Sequence, residues 1–417
     1  MLRQIEGSRA VAETVARCRP EVVCAYPISP QTHIIEAIGA MVKAGTLSPC
    51  EFINVESEFA AMSVSIGASA TGARSYTATA SQGLLFMLEA VYNASGLGLP
   101  IVMTLANRAI GAPINIWNDH SDAMAARDAG WIQLFAETNQ EAADLHVQAF
   151  RLAEELSVPV MVCMDGFILT HAVEGIDVPE QRDVDDFLPP YEPRHVLDPQ
   201  HPTSIGAMVG PEAFTEVRYL SHLRQLDALE LIPDLAARFA AAFGRDSGGL
   251  VHEYRTEDAA TVVVAMGSVL GTIKDAVDRR RDAGDRVGVV GITTFRPFPF
   301  DAVRRALRGA ETVIVVEKAF SVGFGGVLST DVAMATHDQS LSLRTVIAGL
   351  GGRAILQDSL ETLLVDGVQG RLDGVTFLGL DHDIVDRERQ RIASQRRSGS
   401  TAENILGDLG VVASRIA

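Results

Sequence analysis

Short, nearly all-apolar runs alternate with longer stretches of helical spacing along this chain. "EVVCAYPIS", "EFINVE", "ARSYTATA", "LPIVMTLAN" and "VPVMVCMDG" predict strands. "GSRAVAETVARC", "THIIEAIGAMVKAG", "EFAAMSVSIGASATG", "LLFMLEAVYNASG" and "AADLHVQAFRLAEEL" predict helices, with Gly45 and Gly72 as natural stops. Strands that are apolar at successive positions need cover on both faces, so the pattern predicts a parallel sheet between helices. From about Ile176 to His201 the chain turns acidic and proline-rich, which predicts a long surface connection. "PEAFTEVRYLSHLRQLDALELIPDLAARFAAAFG" is helical, and a second α/β pattern follows. In it "ATVVVAMGS", "RVGVVGITTF" and "ETVIVVEK" are strands; "VLGTIKDAVDRRRDAG" and "PFDAVRRALRGA" are helices. The expected division is a first domain over 1–250 including the linker, a second over 251–385, and a charged helical tail over 386–417.

Of the 417 residues 47% are hydrophobic and 21% charged, enough apolar material for a sizeable core and too much for a disordered chain. The net charge of −18 argues against nucleic acid as a partner, because phosphate-backbone binders need a basic face. Cys18, Cys24, Cys50 and Cys163 form no CxxC pair and no iron–sulfur ligand set, so free thiols in a reducing cytoplasm are expected. The start, "MLRQIEGSRA", has no apolar h-region, and no run reaches 18 apolar residues, so neither a signal peptide nor a membrane span is expected.

In a parallel α/β sheet, ligands gather beyond the carboxyl ends of the strands. Three notable stretches fall there: Tyr26-Pro27-Ile28-Ser29-Pro30, Ser81-Gln82-Gly83, and Asn107-Arg108. Glu56 and Glu58 occupy a fourth strand end, where a carboxylate is either a helix cap or a ligand. Arg108 follows an apolar strand and needs an anionic partner, a structural aspartate or a substrate carboxylate. The polar run Trp117-Asn118-Asp119-His120-Ser121-Asp122 reads as a hydrogen-bonded loop. Gly323, Gly325 and Gly326 do not fit GxGxxG, and no GK[ST] is present, so close packing explains these glycines better than phosphate binding.

Taken together, "YPISPQTHI", "NVESEFAAMSVSIGASATGARSYTATASQGLLFMLE" and "ANRAIGAPINIWNDHSDAMAARDAGWIQLFAETNQEA" resemble successive blocks of the α subunit of 2-oxoacid:ferredoxin oxidoreductases, the pyruvate synthase family. "VVVAMGS", "TTFRPFP", "VVEK" and "GLGGR" resemble its transketolase-C-like domain, and the resemblance spans roughly residues 5–390. It implies a pyrimidine-side thiamine diphosphate domain followed by that second domain, active only with partner subunits. A β subunit would bring the diphosphate site, Mg²⁺ and the [4Fe–4S] cluster, because this chain has neither a GDG…N segment nor the cysteines. A γ subunit or domain, coenzyme A and ferredoxin complete the implied reaction: reversible oxidative decarboxylation of a 2-oxoacid, pyruvate first, with branched-chain 2-oxoacids or 2-oxoglutarate as alternatives. A scaffold subunit without catalysis is the other alternative. By the same resemblance Glu58 hydrogen-bonds the aminopyrimidine ring, with Glu56 competing. Ser29 stands where threonine is usual and offers its hydroxyl to the 2-oxoacid. Arg108 binds the substrate carboxylate, and Ser81, Gln82 and Gly83 form a turn beside the cofactor.

Overall fold

The computed structural model describes residues 2–411. Its first sheet has seven strands in the spatial order Thr294–Arg296, Ile132–Phe135, Val160–Asp165, Val102–Asn107, Ser75–Thr79, Val22–Ala25 and Glu51–Asn54. All neighbours are parallel except the first pair. Every residue of Ser75–Thr79, Val102–Asn107 and Val160–Asp165 is buried, which is why these central strands lack polar alternation. A second sheet, ordered Val375–Phe377, Ser342–Ile347, Thr312–Glu317, Thr261–Ala265, Val287–Ile292 and Val251–Tyr254, is parallel but for its last strand. The α/β class and the parallel sheets expected from the sequence are therefore both present.

Several elements differ from the sequence reading. "RVGVVGITTF" is not one strand: Val287–Ile292 stays in the second sheet, while Thr294–Arg296 crosses to the edge of the first. Its partner, Ile132–Phe135, was not expected as a strand, since four residues between polar loops give little periodic signal. The helix expected from "LLFMLEAVYNASG" begins earlier and is broken at Met87, giving Ser81–Phe86 and Leu88–Gly96. The connection after Ile176 holds a helix, Gln181–Phe187, which buries Val184 and Phe187.

One hydrophobic core joins the two sheets, with Trp131 and Phe135 packed in the same cluster as Phe295, Val313 and Leu328. The helix Phe214–Phe243 buries Ala228, Ile232, Leu235 and Phe239, an i, i+4, i+7, i+11 stripe that packs into the core of the first domain. At the other end of the chain, the helix Thr401–Asp408 is tied to His382–Ser394 by Arg391–Asp408 at 3.0 Å.

Inside the first domain a buried proton chain links sheet to helix. His146 Nδ1 lies 2.6 Å from Ala142 O, which can only accept, so Nδ1 carries the proton. Nε2 then accepts from Thr104 Oγ1 at 2.5 Å, and Thr104 accepts from Tyr76 at 2.6 Å. Protonating Nε2 would break this order, and burial pushes the His146 pKa down to about 4. With the folded-state value below the ordinary 6.5, the unfolded chain binds the extra proton first, so stability falls as pH drops from 6.5 towards 4. The loss attributable to this group approaches about 3 kcal/mol as pH falls below the folded-state value. Denaturation series across that range should show a shallower acid loss in His146→Gln than in the wild type; parallel curves would remove His146 from the account.

Candidate active site

The candidate residues lie at the carboxyl ends of the first sheet. Glu58 opens the helix Glu58–Ala70, whose N-cap Ser57 accepts from the Ala60 amide at 3.2 Å. The capping task thus falls to Ser57 and not to either glutamate. Glu58 is 7% exposed, whereas Glu56 is exposed. Among the described residues the Glu58 carboxylate has no hydrogen-bond or ion-pair partner. Its oxygens reach solvent, so the carboxylate is open to a partner from outside the chain.

Ser81-Gln82-Gly83, expected as a turn, is the first turn of the helix Ser81–Phe86 and packs directly against Glu58. A Cβ at Gly83 would stand 2.7 Å from Glu58 Oε1 and 2.5 Å from Thr79 Oγ1, so only glycine lets the turn approach this closely. Ser81 is fully buried, with its Oγ 2.5 Å from Ala109 O.

Asp122, which sequence reasoning placed only within a hydrogen-bonded loop, organises the middle of the site. It accepts from the Ser81, Arg108 and Ala123 amides and from Asn107 Nδ2, at 3.0, 2.9, 2.8 and 2.9 Å. Burial pushes its carboxyl up to about 6 against these donors. The Ser81 turn and the strand end at Arg108 are thereby held on one carboxylate. The density of polar groups in "WNDHSD" was the only signal for this in the sequence.

Arg108 is 7% exposed, and no carboxylate among the described residues touches its guanidinium. It donates from Nη1 to Ser29 O at 3.0 Å and from Nε to Asn115 O at 3.1 Å, so it is aimed by carbonyls and keeps free N–H donors. Burial lowers its pKa, and the nearby Asp122 works in the opposite direction. Ser29 is exposed, and its hydroxyl has no partner among the described residues. Ser29 and Arg108 are thus brought together, as are Glu58 and Gly83; Ser81 and Asp122 bridge the two pairs.

The second domain closes on this assembly through a buried network. Lys318 donates to Asp165 at 2.9 Å and also to Asn118 Oδ1. Asp165 contacts His120 Nε2 at 2.7 Å and accepts from the Ser268 amide at 3.1 Å. Burial alone would raise the Asp165 pKa, but Lys318 and His120 beside it hold the carboxyl well below the usual range. The Gly351 amide donates to Asp119 at 3.0 Å while Asn115 donates back to Gly351 O at 3.1 Å. Gly352 faces Trp117 so closely that a Cβ there would lie 2.4 Å from the Trp117 Cβ. The "GLGG" turn therefore packs against the loop that aims Arg108, in keeping with close packing as the reason for its glycines.

The described residues do not enclose the site. A cavity of about 790 Å³ lies elsewhere, between the helix Phe214–Phe243 and the segment 296–302. Around the candidate residues the surface is apolar and open: Phe59, Phe86, Ile114 and Trp117 are exposed, Ile114 to 80%. A solvent-open carboxylate without a partner among the described residues, set against a glycine that permits close approach, fits an aminopyrimidine ring, which offers nitrogen donors on a flat apolar body.

Residues 13–233 match the family described as "Pyruvate flavodoxin/ferredoxin oxidoreductase, thiamine diP-bdg", and residues 259–360 match "Pyruvate:ferredoxin oxidoreductase core domain II". The chain is 46% identical over 378 residues to the pyruvate synthase subunit PorA of Methanosarcina barkeri, covering 89% of this chain and 94% of the relative. It is 39% identical over 365 residues to the ketoisovalerate oxidoreductase subunit VorA of Pyrococcus abyssi, covering 87% and 92%. Its fold matches the 2-oxoglutarate:ferredoxin oxidoreductase of Magnetococcus marinus with a TM-score of 0.70 at 19% identity, over 88% of this chain and 65% of that one. A split-gene transketolase gives 0.52 at 15% identity, over 88% of this chain and 98% of that one. The chain thus has the fold of thiamine-dependent enzymes with a transketolase-C-like second domain. It belongs to the pyruvate:ferredoxin oxidoreductase family, as an A-type subunit of an oxidoreductase, and the resemblance drawn from "YPISPQTHI" and the blocks after it holds.

Proposed function

We propose that this chain supplies the aminopyrimidine side of a thiamine diphosphate site, and the substrate-carboxylate clamp, in a pyruvate:ferredoxin oxidoreductase. The observation that carries the reading is the Glu58 carboxylate, without a partner among the described residues and open to solvent, set against the close-packed Gly83. Thiamine diphosphate, when bound, would supply the electron sink that decarboxylation of a 2-oxoacid requires. Glu58 would hold a proton at a ring nitrogen, its charge strengthened by low-dielectric surroundings. Arg108, steadied by Ser29 O and Asn115 O, would take the substrate carboxylate on its remaining donors. The Ser29 hydroxyl, exposed beside it, would meet the oxo end of the substrate. Ser81 and Gln82 would shape the wall through Asp122 and the Gly83 turn.

The open apolar rim supports a partner that completes the cavity, since exposed apolar patches rimmed by polar groups mark interfaces. We assign to it a β subunit with the diphosphate and Mg²⁺ site and the [4Fe–4S] cluster. A γ subunit or domain, coenzyme A as acyl acceptor and ferredoxin as electron acceptor complete the cytoplasmic assembly. Among the described residues no helix is long and apolar enough to cross a membrane. Domain limits of 1–250 and 251–385 with a tail to 417 remain our division of the chain.

Arg108→Lys keeps the charge but loses the fork, so kcat/KM for pyruvate in the assembled enzyme should fall by about 100-fold, chiefly through KM. An unchanged KM would exclude Arg108 from substrate binding. Pyruvate should outrun 2-oxoisovalerate and 2-oxoglutarate in the same assay, although a methylene difference changes kcat/KM by only about 10–200-fold.

A further inference from the structure

Outside the site described above, Glu6, His33 and His171 converge from three separate parts of the chain. Glu6 ends the strand Arg3–Glu6, which pairs with Val173–Ile176 just after His171; His33 lies in the first turn of Thr32–Lys43. One ligand atom from each residue lies within 4.8 Å of the others. His33 Nδ1 is 2.7 Å from Glu6 Oε1, and the two imidazole centroids are 4.7 Å apart. His171 Nδ1 is held by Thr170 Oγ1 at 2.8 Å, and that hydroxyl oxygen also accepts from the Phe167 amide at 2.8 Å.

We propose that Glu6, His33 and His171 form a site for one divalent transition-metal ion, zinc by donor type. Two imidazoles and one carboxylate are a borderline donor set that suits zinc, cobalt or nickel better than magnesium or calcium. Metal-binding histidines commonly engage their second ring nitrogen with an oxygen, which fixes the ring and leaves the other nitrogen free; Thr170 does this for His171. At metal–ligand bonds of about 2.0–2.2 Å, tetrahedral ligands lie about 3.3 Å apart, so side-chain rotations suffice to close the cluster. Three protein ligands leave a fourth position for water. The ion would tie the amino-terminal strand to the helix that follows the Ser29-Pro30 loop.

Metal-free full-length chain titrated with Co²⁺ tests this through the strong visible absorption of tetrahedral cobalt. The expected result is one ion per chain, displaced by Zn²⁺. Affinity should drop by about 100-fold or more in His33→Gln and in His171→Gln, and by about tenfold in Thr170→Val. Absence of the band in wild type, or an unchanged titration in the double histidine variant, means an adventitious ion only and overturns the site. Should a histidine variant misfold, Glu6→Gln gives the same reading from a residue at the end of an edge strand.

Discussion

Glu58→Gln is expected to cut 2-oxoacid-dependent dye reduction by the assembled enzyme by about 10²–10⁴-fold while leaving the chain folded and assembled. Glutamine nearly matches glutamate in shape, so the close approach of Gly83 should survive. What disappears is the charge that would hold a proton on the heterocycle. Among the described residues the Glu58 carboxylate makes no hydrogen bond or ion pair, so the same substitution should leave thermal stability nearly unchanged. That combination, activity lost and stability kept, separates a functional carboxylate from a structural one. Glu56→Gln is the control: Glu56 is exposed, and its replacement should change activity little. Undiminished turnover by Glu58→Gln would show the assignment to be wrong.

The second large effect falls on stability. Lys318→Met removes the cation from a pair whose side chains are 3% and 1% exposed, leaving Asp165 buried with only His120 and Ser268 beside it. Breaking such a pair by removing one partner costs about 3–5 kcal/mol. Because Lys318 belongs to the second domain and Asp165 to the first, the damage should concentrate where the domains meet. Amide exchange should rise around residues 115–122 and 349–353, while the central strands of each sheet stay protected. A fall in stability below 1 kcal/mol would show that the pair is dispensable.

How far the sequence carried depended on whether the relevant physics was local. Strands such as Val102–Asn107 and Val160–Asp165 are buried on both faces, and an uninterrupted apolar run states that directly. Ile132–Phe135 and Thr294–Arg296 pair across about 160 residues, and neither has a pattern of its own to announce it. The break at Met87 and the helix Gln181–Phe187 were equally silent, one inside a continuous apolar segment and one inside an acidic stretch. In the candidate site, residue chemistry raised Glu58 and Arg108 but left their partners open; their assigned roles came from resemblance to a family. The structure adds that Glu58 has no partner among the described residues, that carbonyls aim Arg108, and that Asp122 ties Arg108 to the Ser81 segment. Each depends on distances between segments that no spacing along the chain encodes.

The central claim is that this chain is one catalytic half of a shared site. Its most direct test is 2-oxoacid-dependent, coenzyme A-dependent viologen reduction by the purified chain, by the purified partner subunits, and by the two combined with thiamine diphosphate and Mg²⁺. Turnover is expected only in the combination, and is lost when the combination carries Glu58→Gln. Turnover by this chain alone, or full turnover by the partners without it, would contradict the account.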